Sequence, residues 1–210
     1  GRGRRRGVDH GPDPGPRRLL AQQPDRAVYP AAVLEQLVDI ARRHDPWLLS
    51  DECYEAITFD VPFVSPAALD SDGRVVVVGS VSKTYAMTGW RIGWVATPDR
   101  DLLEVLGHLS EGVVACPSTI GQVGALAALT GPQDAVATAV TSDRERRDAA
   151  TELLAARGIG FSRPHGAFHL LVDVEDDDTD GFARRLLERQ HVAVAPGATF
   201  GAQATRRVRA

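Results

Sequence analysis

Lys83 is the one residue of this chain whose type is chemically unusual for its surroundings. Of the 24 lysine and arginine residues in the sequence, Lys83 alone is a lysine. Arginine stays protonated and cannot condense with an aldehyde, whereas a primary amine can lose its proton and form a Schiff base. The sequence therefore predicts that Lys83 is a nucleophile.

The residues before Lys83 predict the elements that position it. Apolar residues recur at helical spacing from Pro30 to about His44, and two short apolar runs follow, one at 47–49 and one at 74–79. The second run is β-branched, as strands buried on both faces are. This order predicts an open α/β sheet, whose ligands lie at the carboxyl ends of the strands. Asp51 and Ser80 both fall at such ends.

The rest of the chain predicts one more strand of this sheet and then a mainly helical region. The further strand is 92–96, directly after Arg91, and Gly158 is suited to end the longest helix. The downstream helices are predicted at 101–112, 118–129, 133–157 and 181–189, and the downstream strands at 168–173 and 191–195.

Composition excludes several classes of function. The net charge of −4 and the pI near 5.9 give no overall attraction to nucleic acid or to an anionic membrane. No apolar run is long enough to span a bilayer. Cys53 and Cys116 lack a metal-binding spacing and are typical of reduced thiols in a cytoplasmic protein. The acidic run 175–180 is interpreted as a solvated turn, so no metal site is predicted.

The first 22 residues differ from the rest. They are rich in glycine, proline and arginine and contain almost no apolar residue before Leu19. Such a segment buries too little surface to offset the entropy of ordering it, so residues 1–22 are predicted to be a disordered or non-native leader. The alternative, a basic arm for nucleic acid, lacks aromatic residues among the arginines.

Four motifs in sequence order resemble class I/II aminotransferases, the fold-type I pyridoxal phosphate enzymes. The segment from Ser80 to Gly93, Ser-Val-Ser-Lys-Thr-Tyr-Ala-Met-Thr-Gly-Trp-Arg-Ile-Gly, resembles their cofactor-lysine segment. Upstream, Asp51-Glu-Cys-Tyr54 is similar to their Asp-x-x-Tyr motif. Downstream, 164–168 is similar to a further family segment, and 196–201 with Val208-Arg209 is similar to their C-terminal signature.

The resemblance implies a role for each matched residue around pyridoxal 5′-phosphate. Lys83 would bind the cofactor aldehyde covalently and then move a proton at the substrate Cα. Asp51 would keep the pyridine nitrogen protonated, and Tyr54 would hydrogen-bond the phenolic oxygen of the ring.

The remaining matched residues would bind the charged ends of the cofactor and substrate. Ser80, Ser82 and Arg91 would hold the phosphate, for which the planar guanidinium is suited. Arg209 would clamp the α-carboxylate of the substrate. Gln23 stands where the family has an asparagine that contacts the phenolic oxygen, and its extra methylene would displace the amide.

The resemblance implies a partial pyridoxal phosphate-dependent transferase fold of the α/β class. The mostly parallel sheet, flanked by helices, would belong to a remnant of the large cofactor-binding domain at 23–145. A small C-terminal α+β domain would occupy 146–210. Only about the C-terminal half of a usual family member is matched, so we expect a fragment with weak or no turnover.

The implied activity is transfer of an amino group between an amino acid and a 2-oxo acid, in a cytoplasmic protein that is a homodimer at full length. The side chain of the substrate is left open. Phe168 either lines the substrate pocket or belongs to the core, and the core is favoured because large aromatic residues are mostly buried. Exposed apolar faces are also expected, and with them aggregation or dependence on a partner.

Two other classes of protein fit part of the sequence. Ser80-Val-Ser-Lys83 also fits the S-x-x-K motif of serine acyl-enzymes, but these need a second lysine, in a Lys-Thr-Gly triad. The other rival is a non-catalytic, aminotransferase-like ligand-binding or regulatory module. A helix-turn-helix encoded upstream would favour that alternative, because such regulators bind DNA through one.

Overall fold

The computed structural model describes residues 18–20, of which only the backbone is considered, together with 28–201 and 204–210. Gln23 and most of the predicted leader lie outside this part of the chain. The strand Arg18–Leu20 falls inside the segment predicted to be disordered and corrects that prediction for these three residues. Their backbone is held by a neighbouring strand, a long-range contact that the composition of the segment does not reveal.

The first sheet is mostly parallel, as predicted. Its strands lie in the order β1 (Arg18–Leu20), β2 (Trp47–Asp51), β3 (Val75–Ser80) and β4 (Gly93–Ala96). The pairs β1–β2 and β2–β3 are parallel, whereas β4 runs antiparallel to β3. Because β2 and β3 run in the same direction, their carboxyl ends lie at the same edge of the sheet.

Apolar packing anchors the amino-terminal ends of β2 and β3. Helix α1 (Ala31–His44) follows Pro30 and presents Val38 and Ala41 to the sheet. These residues form a core cluster with Leu48 of β2 and Val75 of β3. Leu48 is fully buried, so the strand that leads to Asp51 is anchored on its inner face.

The predicted helices downstream are confirmed, with ends within about two residues of the expected ones. After the single turn α2 (Val81–Thr84) come α3 (Arg100–Val114), α4 (Thr119–Thr130) and α5 (Asp134–Ala156). Gly158 ends α5 as predicted, with a φ of +67°. Its N–H donates to Ala155 and that of Ile159 to Leu154, the pattern of a Schellman motif.

The second sheet is antiparallel and carries one helix, which agrees with the predicted C-terminal α+β region. Its strands are β5 (Phe161–Ser162), β6 (Leu171–Asp173), β7 (Ala195–Pro196) and β8 (Arg207–Arg209), in the order β5-β6-β8-β7. Helix α6 (Thr179–Gln190) connects β6 to β7. The boundary predicted between residues 145 and 146 falls within the continuous helix α5, and the division into domains stays a prediction.

Two predicted strands are shorter than expected. The strand predicted at 168–173 begins only at Leu171, because Ala167 has a φ of +58° and Gly166 pairs with Thr58. The strand predicted at 191–195 is reduced to Ala195–Pro196, because His191 adopts a left-handed conformation that ends α6. In the described part of the chain, no helix has the length and apolar character needed to cross a membrane.

Candidate active site

Asp51 and Ser80 end adjacent parallel strands. Asp51 pairs in register with Val78, and Ser80 follows two residues further along β3. The Oδ1 atom of Asp51 accepts a hydrogen bond from the N–H of Cys53 at 3.2 Å. This bond stabilises the turn after β2 and so positions Tyr54.

Ser80 connects β3 to the turn that carries Lys83. Its Oγ accepts a hydrogen bond from the N–H of Ser82 at 3.0 Å and lies 2.8 Å from the Ser82 hydroxyl. The same Oγ lies 3.2 Å from the carbonyl oxygen of Ile92. Serine is a favoured residue at the start of a helix because its side chain satisfies an unpaired N–H. Lys83 therefore stands one turn past the end of the strand.

The amine of Lys83 lies beside two aromatic rings. Its Nζ is 6.0 Å from the ring centroid of Tyr54 and 5.6 Å from that of Phe168. The two rings are 5.5 Å apart and nearly perpendicular, with an interplanar angle of 69°. Three segments distant in sequence thus meet at the only lysine of the chain.

Phe168 is not in the core, and the expectation that it would be is wrong. It is 47% exposed. The backbone just before it is held against the segment with Ile57 and Thr58. Ala167 donates to the carbonyl of Ile57 at 2.8 Å, and a bridge joins Thr58 to Gly166. A Cβ at Gly166 would lie 2.6 Å from the Ile57 carbonyl oxygen, so the close approach requires glycine.

Arg147 of α5 contacts both the segment with Phe59 and Asp60 and the segment that begins at Pro164. This role was not predicted from the sequence. Its Nη1 and Nη2 donate to the Asp60 carboxylate at 2.5 and 3.2 Å, and Nη1 also lies 3.2 Å from the carbonyl of Pro164. The guanidinium carbon is 4.7 Å from the ring centroid of Phe59. The only signal in the sequence is an arginine on a helix face, which normally indicates a solvated position.

Electrostatics favour the charged form of this pair. The hydrogen bond from Arg147 lowers the pKa of Asp60, against a smaller opposing effect of burial. Burial by itself lowers the pKa of Arg147, but the bond and attraction to Asp60 outweigh it and raise that pKa. Near Tyr54, burial and the neighbouring Glu52 raise the pKa of Glu55.

Arg91 lies in a turn joined to the Ser80–Ser82 segment. The hydroxyl of Thr88 donates to the carbonyl of Ser82 at 2.9 Å, and Nη1 of Arg91 donates to the carbonyl of Thr88 at 2.9 Å. Arg91 has a φ of +56° and an exposed side chain. The guanidinium of Arg91 and the hydroxyls of Ser80 and Ser82 therefore lie on neighbouring turns.

Backbone strain accompanies the candidate residues. In the described ranges, Ala86, Arg91 and Ala167 are among the non-glycine residues with positive φ. Ala86 follows Lys83 by three residues, and Ala167 precedes Phe168. Such conformations are costly and cluster at sites where the surrounding structure imposes them.

Arg209 lies on β8, next to the strand that follows Phe168. It pairs in register with Leu171, and its guanidinium carbon is 4.0 Å from the ring centroid of Phe200. A side chain on Gly197 would collide with the carbonyls of Ala204 and Arg207, so glycine lets this turn pack against β8.

His169 is a second residue that sequence analysis missed. Its Nε2 lies 3.3 Å from the hydroxyl oxygen of Tyr54, and its ring is 4.6 Å from that of Phe168. The signal available was its place directly after the segment 164–168 that contributes to the resemblance.

The chemical types of these side chains fit pyridoxal 5′-phosphate. Lys83 supplies an amine, Asp51 a carboxylate and Tyr54 a phenol. The amine of Lys83 lies near the phenol ring of Tyr54. Hydroxyls and a guanidinium, which are suited to a phosphate group, come from the adjoining turns. The set includes a donor or acceptor for each polar part of the cofactor.

Comparison with known proteins identifies the family. The sequence profile described as "Aminotransferase class I and II" matches residues 21–210. The open α/β sheet is that of a pyridoxal phosphate-dependent transferase fold, which several solved aminotransferases share. The chain belongs to the class I and II aminotransferase family.

Individual relatives agree with this assignment. The chain is 40% identical over 196 residues to aspartate aminotransferase of Rhizobium meliloti, a match covering 85% of the chain and 47% of the relative. It is 39% identical over 184 residues to aspartate/prephenate aminotransferase of Thermus thermophilus, with the same coverage of each chain. The chain thus spans about half the length of the curated relatives it matches.

Solved structures show the same relation. A double mutant of Thermus thermophilus aspartate aminotransferase matches with a TM-score of 0.81 and 37% identity, over 91% of this chain and 51% of that one. Aromatic aminotransferase of Pyrococcus horikoshii matches with a TM-score of 0.84 and 33% identity, over 92% and 54%.

Proposed function

We propose that this chain provides the lysine-bearing part of a pyridoxal 5′-phosphate-dependent aminotransferase site. The observation that carries the proposal is the position of Lys83, whose amine stands past the carboxyl end of β3 and within 6.0 Å of the Tyr54 ring centroid. Membership of the aminotransferase family supports it. The reaction is transfer of an amino group between an amino acid and a 2-oxo acid.

The bound cofactor would supply an electron-accepting ring that stabilises negative charge on the substrate Cα. Lys83 binds the cofactor and holds or moves the proton at its Nζ. Asp51 keeps the pyridine nitrogen protonated, since a carboxylate favours a nearby positive charge. Tyr54 donates a hydrogen bond to the phenolic oxygen.

The other residues orient the two ligands. Ser80, Ser82 and Arg91 bind the phosphate, and Gln23 occupies the place in the sequence of the asparagine that contacts the phenolic oxygen in the family. Arg209 binds the α-carboxylate, for which the fork of a guanidinium on a strand is suited.

The names of the curated relatives support a choice of substrates for the first test. The two described above are aspartate and aspartate/prephenate aminotransferases, so we propose aspartate as the first amino donor to test, with 2-oxoglutarate as the 2-oxo acid acceptor. We also infer a cytoplasmic homodimer with a cofactor domain at 23–145 and a small domain at 146–210.

The test is transfer of the label from ¹⁵N-aspartate to 2-oxoglutarate in the presence of pyridoxal phosphate, followed by mass spectrometry of the glutamate formed. Because the chain spans about half the length of its relatives, we expect only weak formation of labelled glutamate with the native chain. We expect none above background with Lys83→Arg, which keeps the charge but not the reactive amine. Leu187→Ser, at an exposed position of α6, is the control and should keep native activity.

Two results would contradict the proposal. Equal transfer by the native chain and Lys83→Arg would remove Lys83 from the reaction. Binding of pyridoxal phosphate without any transfer to or from aspartate, alanine or an aromatic amino acid would favour the non-catalytic binding module instead.

A further inference from the structure

His169 and Tyr54 join two parts of the chain that are distant in sequence. The Nε2 of His169 lies 3.3 Å from the Tyr54 hydroxyl oxygen, and the ring centroids are 6.0 Å apart at 71°. Tyr54 lies in the turn after β2, whereas His169 precedes β6 of the second sheet. The contact therefore links the turn beside Lys83 to the C-terminal sheet.

The ring of Phe168 restricts both partners. Its centroid is 5.5 Å from that of Tyr54 and 4.6 Å from that of His169, in each case at 69°. Edge-to-face contacts of this kind favour one relative orientation of the rings. Rotation of either the imidazole or the phenol would disrupt these contacts as well as the hydrogen bond.

A phenol has a single proton to donate, and an imidazole nitrogen either donates or accepts. If Nε2 accepts, the Tyr54 proton is directed to His169. If Nε2 donates, the Tyr54 proton is directed elsewhere, and a ligand oxygen beside Lys83 can then be its acceptor. The state of His169 therefore decides the direction in which Tyr54 donates.

We propose that His169 is a positioning residue, which acts on the reaction by orienting the hydroxyl of Tyr54 beside Lys83. Its contribution to cofactor binding rests on the proposed function, whereas the coupling of the two side chains does not. The experiment therefore has one measurement without cofactor and one with it.

The measurement without cofactor is the ¹⁵N NMR spectrum of the histidine rings. The chain has 6 histidines, and the resonances of His169 are assigned by their loss in His169→Gln. Tyr54→Phe removes only the hydroxyl, so we expect the Nε2 resonance of His169 to move while those of the other histidines stay in place. An unchanged His169 resonance overturns the proposal, whether or not the chain binds cofactor.

The measurement with cofactor compares His169→Phe with His169→Gln. Phenylalanine keeps the aromatic packing and removes the hydrogen bond, whereas glutamine keeps a donor and an acceptor. We expect His169→Phe to weaken binding of pyridoxal phosphate about 2- to 10-fold, the range for one hydrogen bond. His169→Gln should restore binding to within about 2-fold of the native chain, a rescue that a purely structural role does not give.

His108→Gln on α3 is the matched control and should change neither measurement. Thermal unfolding verifies that each variant is folded. Equal binding by the phenylalanine variant and the native chain overturns the proposal. If the native chain itself binds no cofactor, the proposed function fails, and the ¹⁵N spectrum alone decides whether His169 orients Tyr54.

Discussion

The corner of the sheet around Lys83 and the surface formed by α3 and α4 are built in opposite ways. Around Lys83, hydrogen bonds hold Asp51, Ser80 and Arg91 in their turns, and Leu48 in the first half of β2 is fully buried. In α3, no residue is buried, and Val113 is 72% exposed. Ile120 of α4 is 76% exposed.

The difference indicates which contacts this chain supplies by itself. The candidate site has its own framework of core residues, caps and an ion pair. The apolar residues of α3 and α4 bury little within the chain, so they contribute little to its stability and favour association. The same substitution should therefore lower the free energy of unfolding more around Lys83 than on the surface of α3 and α4.

The largest contrast is expected between two leucines. Leu48→Ala creates a cavity in the core and should lower the free energy of unfolding by about 2 to 5 kcal/mol. Leu109→Ala makes the same change on α3, where the side chain is 59% exposed, and should change it by less than about 0.5 kcal/mol. Urea titration followed by circular dichroism measures both. Similar losses in the two variants would refute the contrast.

The next effect concerns the ion pair on α5. Asp60→Asn leaves the guanidinium of Arg147, whose side chain is only 5% exposed, with a weaker partner. Because Asp60 is itself 44% exposed and Asp148 also contacts Arg147, we expect a loss of only about 1 to 2 kcal/mol. Asp143→Asn, whose partner Arg146 is 77% exposed, is the control and should cost less than about 0.5 kcal/mol.

The same pair predicts a dependence on pH. The folded pKa of Asp60 is lowered by Arg147, so the folded state binds its proton less readily than the unfolded state. This stabilisation is fully present above the ordinary carboxyl pKa of about 3.9 and is lost as pH falls through the lower, folded value. The advantage of the native chain over Asp60→Asn should therefore shrink on acidification. A stability advantage that grows at low pH would show that Arg147 does not lower the pKa of Asp60.

The smallest effect on stability is expected on the apolar surface. Val113→Ser with Ile120→Ser should change the free energy of unfolding by less than about 0.5 kcal/mol but reduce self-association, measured by light scattering at increasing concentration. Leu187→Ser removes a 50% exposed residue from α6 and is the control. Unchanged association in the double variant, or an equal decrease in the control, would show that α3 and α4 do not drive it.

Local patterns in the sequence predicted the part of the site that depends on local structure. The β-branched run before Ser80, the helical spacing of α1 and the glycine after α5 each depend on nearby residues, and the structure confirms the elements they predict. The resemblance predicted Asp51, Tyr54 and Lys83 as one group, and the amine and the phenol ring are in proximity.

The parts that were missed depend on contacts between distant residues. Arg147 and Asp60 are 87 positions apart, and His169 and Tyr54 are 115 apart, so no window of sequence contains both partners. Phe168 was expected in the core from its type alone. Its exposure results from the left-handed conformation of Ala167 and the pairing of Gly166 with Thr58, neither of which is apparent from composition.

The central claim is that Lys83 is the amine to which pyridoxal phosphate binds covalently. Borohydride reduction of the chain with pyridoxal phosphate, followed by peptide mass spectrometry, measures this directly. The double variant Lys83→Arg with Arg157→Lys is the matched control, because it keeps one lysine and moves it to the exposed end of α5.

We predict a phosphopyridoxyl adduct on the peptide containing residue 83 of the native chain, at a cofactor concentration that labels neither the N-terminal amine nor residue 157 of the control. Equal labelling of residue 157 in the control and of Lys83 in the native chain would show that the amine reacts as any exposed lysine does, and would contradict the account.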